Sequence, residues 1–256
     1  MYKDTDEIKK ALYNCGIKKD DLIFLHGDEI LGSQILTSKN EKDPTLKFIT
    51  SLIDLIGDYG TLVVPTFTYS FIKDEVYDVQ NSVSEVGKFS EKFRKIKSAV
   101  RSRNPIFSVA SIGSLSSKIK KLSEVSSFGP HSIFDLLYKN NGKIFCIGCS
   151  FNRITFTHFV EEKLKIKYRY HKKFKGQIID KENISDVIID YYVRDLKFDT
   201  ICNLSKLKKL MLENKTLKMS SFGRVATYMC NAKSFFQSCE NLLSHNEFGL
   251  INFENK

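Results

Sequence analysis

The chain has 256 residues, 42% of them hydrophobic and 27% charged, which is ordinary globular composition with enough apolar material for a sizeable core. Its 40 Lys and Arg against 30 Asp and Glu give a net charge of +10, so anionic partners such as nucleotides, coenzymes, nucleic acid or membrane surfaces are favoured. The same sequence is rich in Lys, Asn, Ile and Phe throughout, a composition-wide drift that raises the charge without selection for any partner. No apolar run reaches the roughly 18 residues of a transmembrane helix, and the polar, acidic start Met1-Tyr2-Lys3-Asp4-Thr5-Asp6-Glu7 lacks the apolar core of a secretory signal. Six scattered cysteines are too few for a disulfide framework, so reduced thiols in a cytoplasmic protein are expected.

In chain order, Ile8, Ala11, Leu12 and Cys15 repeat at helical spacing and Gly16 supplies a stop. Leu22-Ile23-Phe24-Leu25 reads as a strand. Asp43-Pro44 reads as the cap and first residue of a helix whose face carries Leu46, Ile49, Leu52, Ile53 and Ile56. The run Thr61 to Pro65 predicts a buried strand, and 68–88 an ordered loop without a clean period. Helix 90–97, strand 106–112, helices near 115–122 and 132–139, strand 143–149 and helix 153–164 follow. Ile178-Ile179 and Val187 to Tyr192 predict antiparallel strands around a polar turn. Leu204, Leu207, Leu210 and Met211 mark a helix near 204–213; Phe235, Phe236, Cys239, Leu242 and Leu243 mark another near 232–243. Alternating helices and strands predict one α/β domain over residues 1–256. It is a layered sandwich of helices packed on a central mixed sheet, with an antiparallel meander near 168–193.

Several residues invite a chemical reading. His158 and Glu161 stand three apart on a predicted helix and share a face, an arrangement that is most often an incidental ion pair. Glu91 and Arg94 have the same spacing. Cys146-Ile147-Gly148-Cys149 is a C-x-x-C without the second ligand pair that zinc requires, and it starts inside a strand rather than at the helix N-terminus a redox pair favours; buried inert thiols are the expectation, with a Cys149 acyl-enzyme as the alternative. Between 163 and 175, Lys163, Lys165, Lys167, Arg169, Lys172, Lys173 and Lys175 alternate with Tyr168, Tyr170, His171 and Phe174. That run is either a solvated strand face or a grip on nucleic acid or nucleotide phosphates.

Three segments together carry a resemblance. They are Val63-Val64-Pro65-Thr66-Phe67-Thr68, the string Arg101-Ser102-Arg103-Asn104-Pro105-Ile106-Phe107-Ser108-Val109-Ala110-Ser111-Ile112-Gly113 preceded by Gly87 to Arg94, and Ile147-Gly148 followed by Thr155-Phe156-Thr157-His158-Phe159-Val160-Glu161. In order and spacing the chain resembles the aminoglycoside 3-N-acetyltransferase family and its relatives in sugar biosynthesis. The resemblance implies His158 as catalytic base supported by Glu161. It implies His26, Thr66, Arg101, Ser102, Ser108 and Val109 as contacts of acetyl-coenzyme A, and Asp28, Phe67, Tyr69 and Glu91 near the substrate. One departure stands out: where the family carries small hydroxyl residues after the first strand's histidine, this chain has Gly27-Asp28-Glu29.

The chemistry agrees with those roles. Amide formation from a thioester needs a neutral amine, and a histidine of ordinary pKa near 6.5 is suited to accept its proton. The Pro65 to Thr68 turn is a candidate source of N–H donors for the thioester oxyanion. A pocket for polycationic aminoglycosides is expected to be acidic. A chain at +10 fits a nucleotide-linked amino sugar better, with acyl-coenzyme A and the sugar as partners and no metal, nucleic acid or membrane. Antibiotic acetylation and non-catalytic nucleic-acid binding are the competing functions.

Overall fold

A computed structural model describes residues 1–38, 43–122, 125–197 and 200–252. In chain order the strands are β1 (Leu22–Gly27), β2 (Thr61–Pro65), β3 (Tyr77–Asp78), β4 (Val100–Arg101), β5 (Val109–Gly113), β6 (Lys143–Ile147), β7 (Arg169–Asp180), β8 (Asn183–Arg194), β9 (Ile201–Cys202), β10 (Lys218–Phe222), β11 (Val225–Asn231) and β12 (Ile251–Asn252). The helices are α1 (Thr5–Cys15), α2 (Pro44–Ile56), α3 (Lys88–Arg94), α4 (Ser116–Lys120), α5 (Ile133–Lys139), α6 (Phe156–Lys163), α7 (Ser205–Glu213) and α8 (Ala232–His245).

The central sheet has seven strands in the order β10-β11-β6-β1-β2-β5-β4. β1 runs parallel to both β2 and β6, and the outer pairings are antiparallel, so the sheet is mixed as the sequence predicts. Strand alternation sends successive side chains to opposite layers. Ile23, Leu25, Leu62, Val64, Phe145 and Ile147 face one layer, packed with Ile8 and Leu12 of α1, Phe48 and Leu52 of α2 and Phe89 of α3. Phe24, Val63, Ile144 and Cys146 face the other, packed with Phe134 of α5, Phe156 and Val160 of α6 and Phe235 of α8. Burial on both faces is why these strands read as unbroken apolar runs rather than as alternating ones. Asp43 caps α2 as its sequence suggests, accepting from the Thr45 N–H at 2.9 Å ahead of Pro44.

The structure departs from the sequence reading in several places that bear on the sheet and the site. β10 and β11 extend the sheet where no element was expected; β10 is an edge strand with exposed Lys218 and Met219, so it shows no apolar period. The predicted strand 106–112 starts only at Val109, because the Asn104 side chain accepts from the Ile106 and Phe107 N–H groups (3.0 and 2.7 Å) and holds a turn there. The helix expected from 153 opens as a short turn at Phe151–Arg153, and α6 begins at Phe156. The antiparallel meander is present as expected, as a long β7–β8 hairpin paired from Arg169–Arg194 to Asp180–Asn183, and the departure there is that β3, within the segment read as loop, adds to it in parallel.

Three parallel strands end side by side at one edge of the sheet: β1 at Gly27, β2 at Pro65 and β6 at Ile147. In open α/β sheets this carboxyl edge is where ligands bind. Gly148 follows β6 at φ +72, and a Cβ there meets the Ile30 Cγ2 at 2.6 Å and the Asp28 Cβ at 3.2 Å. Gly148→Ala is therefore expected to cost about 1–3 kcal/mol in left-handed strain and crowding, seen as a lowered urea midpoint. An unchanged midpoint would contradict this account of the turn.

Candidate active site

A cavity of about 540 Å³ opens at that edge, lined among others by His26, Asp28, Phe67, Tyr69, Cys149 and His158. All but one come from a strand end or from the segment after it: His26 ends β1 and Asp28 follows it, Phe67 and Tyr69 follow β2, and Cys149 follows β6, while His158 sits on the first turn of α6.

His158 is held by a buried polar cluster. Its Nδ1 lies 2.7 Å from Oε2 of Glu161, one helical turn on. Glu161 is 1% exposed. Its other oxygen accepts from the Tyr168 hydroxyl at 3.0 Å, and Nε of Arg169 stands 2.7 Å from Oε2. The guanidinium is anchored in turn by an Nη1 donation to the Tyr192 carbonyl at 3.1 Å. Arg169 Nη2 also comes within 2.9 Å of His158 Nδ1. A carboxylate only accepts and a guanidinium only donates, so both cannot be satisfied at one nitrogen. The carboxylate contact is the shorter and has the length of a charge-assisted bond. We assign the Nδ1 proton to it, which leaves the Nε2 lone pair free. Among the described residues no hydrogen bond reaches Nε2, and the ring, 24% exposed, lies on the cavity wall.

The charges fix the protonation state at rest. Burial lowers the His158 pKa first and the Arg169 cation lowers it further, against the opposing Glu161. Burial pushes the Glu161 carboxyl up, but Arg169, His158 and the Tyr168 hydroxyl together hold it below its ordinary value. At neutral pH the pair is thus a carboxylate and a neutral imidazole able to take up a proton.

The other sequence-derived candidates divide into two groups. His26, Asp28, Phe67 and Tyr69 line the cavity. The His26 ring is 7% exposed with Nε2 unpartnered, and burial drives its pKa down to about 4, so it is neutral. Asp28 accepts from the Ile30 N–H at 2.9 Å and so caps the turn beside the cavity, whereas Glu29 turns away to Lys92 at 2.6 Å.

Thr66, Arg101, Ser102, Ser108 and Val109 stand behind the wall instead, all buried. Arg101 donates to the Thr66, Val79 and Ser82 carbonyls and to Ser108 Oγ, and lies over the Tyr77 ring. Ser108 Oγ donates to the Thr66 carbonyl at 2.6 Å, and Ser102 Oγ accepts from the Val109 N–H at 3.0 Å. Their polar atoms are consumed by one another, and the network clasps the cavity loops from within. Glu91 is likewise off the cavity. It accepts from Nε and Nη2 of Arg94 (2.8 and 2.6 Å) and from the Ser84 N–H at 2.9 Å, and these contacts, Arg94 first, take its pKa down to about 2. It thereby fixes the segment whose Glu85 and Val86 line the cavity.

Sequence reasoning did not select Glu85, Cys149, Arg153, Thr155 or Cys202 for the cavity wall, nor Tyr168 and Arg169 for the cluster around Glu161. The last two lie inside the basic and aromatic run and are buried, while Lys165, Lys167, Lys172, Lys173 and Lys175 of that run are exposed. Only Arg169's place at the first residue of a strand distinguishes it from its neighbours, since it shares the parity of exposed Lys173 and Lys175. Among the described residues no group of three or more His, Cys, Asp or Glu could hold a metal ion, and no helix is long and apolar enough to cross a membrane.

The chain belongs to the aminoglycoside 3-N-acetyltransferase family, whose profile matches residues 37–244. Similar solved structures include the aminoglycoside acetyltransferase AAC(3)-IVa apoenzyme (19% identity, TM-score 0.79, 98% of this chain and 92% of that one covered). The binary complex of AAC-IIIb with CoASH is 17% identical with TM-score 0.79 over 96% of this chain and 98% of that one. The YokD protein from Bacillus subtilis is 16% identical with TM-score 0.77, over 96% and 95% of the two chains. These establish the shared fold. No curated protein sequence matches the chain.

Arg169→Met removes the cation that, after burial, keeps the imidazole low. The NMR titration midpoint of His158 is expected to rise from its wild-type position below 6.5. A midpoint that stays or falls would show that Arg169 does not act on the ring.

Proposed function

We propose that the cavity transfers an acetyl group from acetyl-coenzyme A to the amino nitrogen of a nucleotide-linked sugar, with His158 as general base. The observation that carries this reading is the neutral imidazole on the cavity wall, aimed by a carboxylate that is itself locked by a buried cation. The coenzyme supplies the acetyl group as a thioester, and the chain's residues do the rest. His158 Nε2 takes the proton from the attacking amine. Glu161 stabilises the imidazolium as it forms, with Arg169 and Tyr168 keeping the carboxylate in place. The ring of His26, neutral and without a partner at Nε2 among the described residues, and Arg153 on the same wall fit the polar arm and phosphates of a coenzyme. Transfer is direct, within a ternary complex in one domain spanning 1–256, and the site of action is the cytoplasm in surface-glycan assembly.

The charges lining the cavity support the substrate class. Its carboxylates are Asp28 and Glu85, and Glu85 is neutralised by Lys73. Arg153 has no carboxylate partner among the described residues. Such a lining suits one amine beside an anionic group better than the several ammonium groups of a drug. The second reading, acetylation of an aminoglycoside, is favoured by the family itself and by Asp28 at the cavity.

Two measurements test the proposal. Acetyl-coenzyme A turnover is expected to be faster with nucleotide-linked amino sugars than with kanamycin-type drugs; the reverse order would overturn the substrate class. His158→Ala is expected to leave coenzyme binding intact and lower kcat by about 10² to 10⁴, and an unchanged kcat would remove His158 from the reaction.

A further inference from the structure

Cys146 and Cys149 occupy one junction between core and cavity. Alternation along β6 sends the Cys146 side chain into the layer of α5, α6 and α8, where it is fully buried. After Ile147 the left-handed Gly148 reverses the backbone, so Cys149 packs against that same layer while lying on the cavity wall. Its Sγ donates to the His26 carbonyl at 3.4 Å. Both thiols are free.

Their electrostatics are opposed. Interaction with the Cys146 side chain lowers the Cys149 pKa against the effect of burial. Cys146 is pushed well above its ordinary value by the same neighbour and by burial. Cys202 shares the cavity wall, but burial raises it to about 12. Cys230 is likewise raised to about 12 by burial, and Cys239 is raised as well. A cavity-facing thiol of lowered pKa backed by a buried second thiol is the arrangement in which oxidation is site-selective and ends in a disulfide.

We propose that Cys146 and Cys149 are a peroxide-oxidisable dithiol built into the wall of the cavity. The Cys149 thiolate attacks one peroxide oxygen. The O–O bond breaks, a sulfenic acid forms on Cys149, and the other oxygen leaves as hydroxide, protonated to water. The Cys146 sulfur then attacks the Cys149 sulfur, its proton leaving with the displaced hydroxyl as a second water. Two thiols are oxidised and one hydrogen peroxide is reduced, giving one disulfide and two waters. The S–H that the His26 carbonyl accepts disappears, so β1 and β6 lose that link at the cavity.

The full-length protein is treated with hydrogen peroxide, its remaining thiols are alkylated, and the tryptic peptide of residues 144–153 is read by mass spectrometry. The expected product is that peptide lacking two hydrogens, with neither cysteine alkylated, restored to two alkylatable thiols by dithiothreitol. Cys146→Ser and Cys149→Ser are each expected to abolish it. Without peroxide, iodoacetamide is expected to modify Cys149 about tenfold or more faster than Cys202. Peptide 144–153 with both thiols still alkylatable, Cys149 carried to sulfinic acid in the unsubstituted protein, or another cysteine oxidised first would each overturn the proposal. None of these readouts depends on acyl transfer.

Discussion

A carboxylate that is 1% exposed can stay ionised only if its surroundings replace the water it has lost. Glu161 meets that demand with Arg169, Tyr168 and His158, and the architecture of the site follows from it. Arg169 is the first residue of β7, so the ion pair ties the long hairpin to α6. Because the cation neutralises the carboxylate, Glu161 can orient the imidazole without charging it. A lone Glu161 anion would hold His158 protonated further up the pH scale; a lone Arg169 would leave it without a proton partner at Nδ1.

The rest of the sheet serves the same wall. Parallel β1, β2 and β6 end together, and each hands a short segment to the cavity. Behind the wall, Arg101 makes no direct carboxylate contact among the described residues and satisfies itself on carbonyls, a hydroxyl and the Tyr77 ring. One network therefore carries the charge chemistry and another carries the shape, and the two have no residue in common.

The parts of the fold that were legible in the sequence were those whose burial leaves a period. The apolar runs at 22–25 and 61–65 and the helical faces of 44–56 and 232–245 declare themselves, because helices or strands buried against a core must keep one repeat. β10 was missed because an edge strand with exposed Lys218 and Met219 carries no such repeat, and its partner β11 was missed with it although Val225, Thr227 and Met229 alternate inward. At the site, His158 and Glu161 were legible from spacing and family likeness. Arg169 was not, since a cation in a run of lysines looks solvated until a hairpin turns it inward. Arg101, Ser102, Ser108 and Val109 illustrate the converse: a distinctive string of residues can mark a clasp behind a site as readily as the site itself.

The central claim is that Glu161 holds the proton of His158 on Nδ1 and leaves Nε2 bare. Nitrogen chemical shifts of the ¹⁵N-labelled imidazole at neutral pH read this directly. The account predicts a protonated Nδ1 and an unprotonated Nε2. A proton on Nε2, whether in the other tautomer or in an imidazolium, would contradict it.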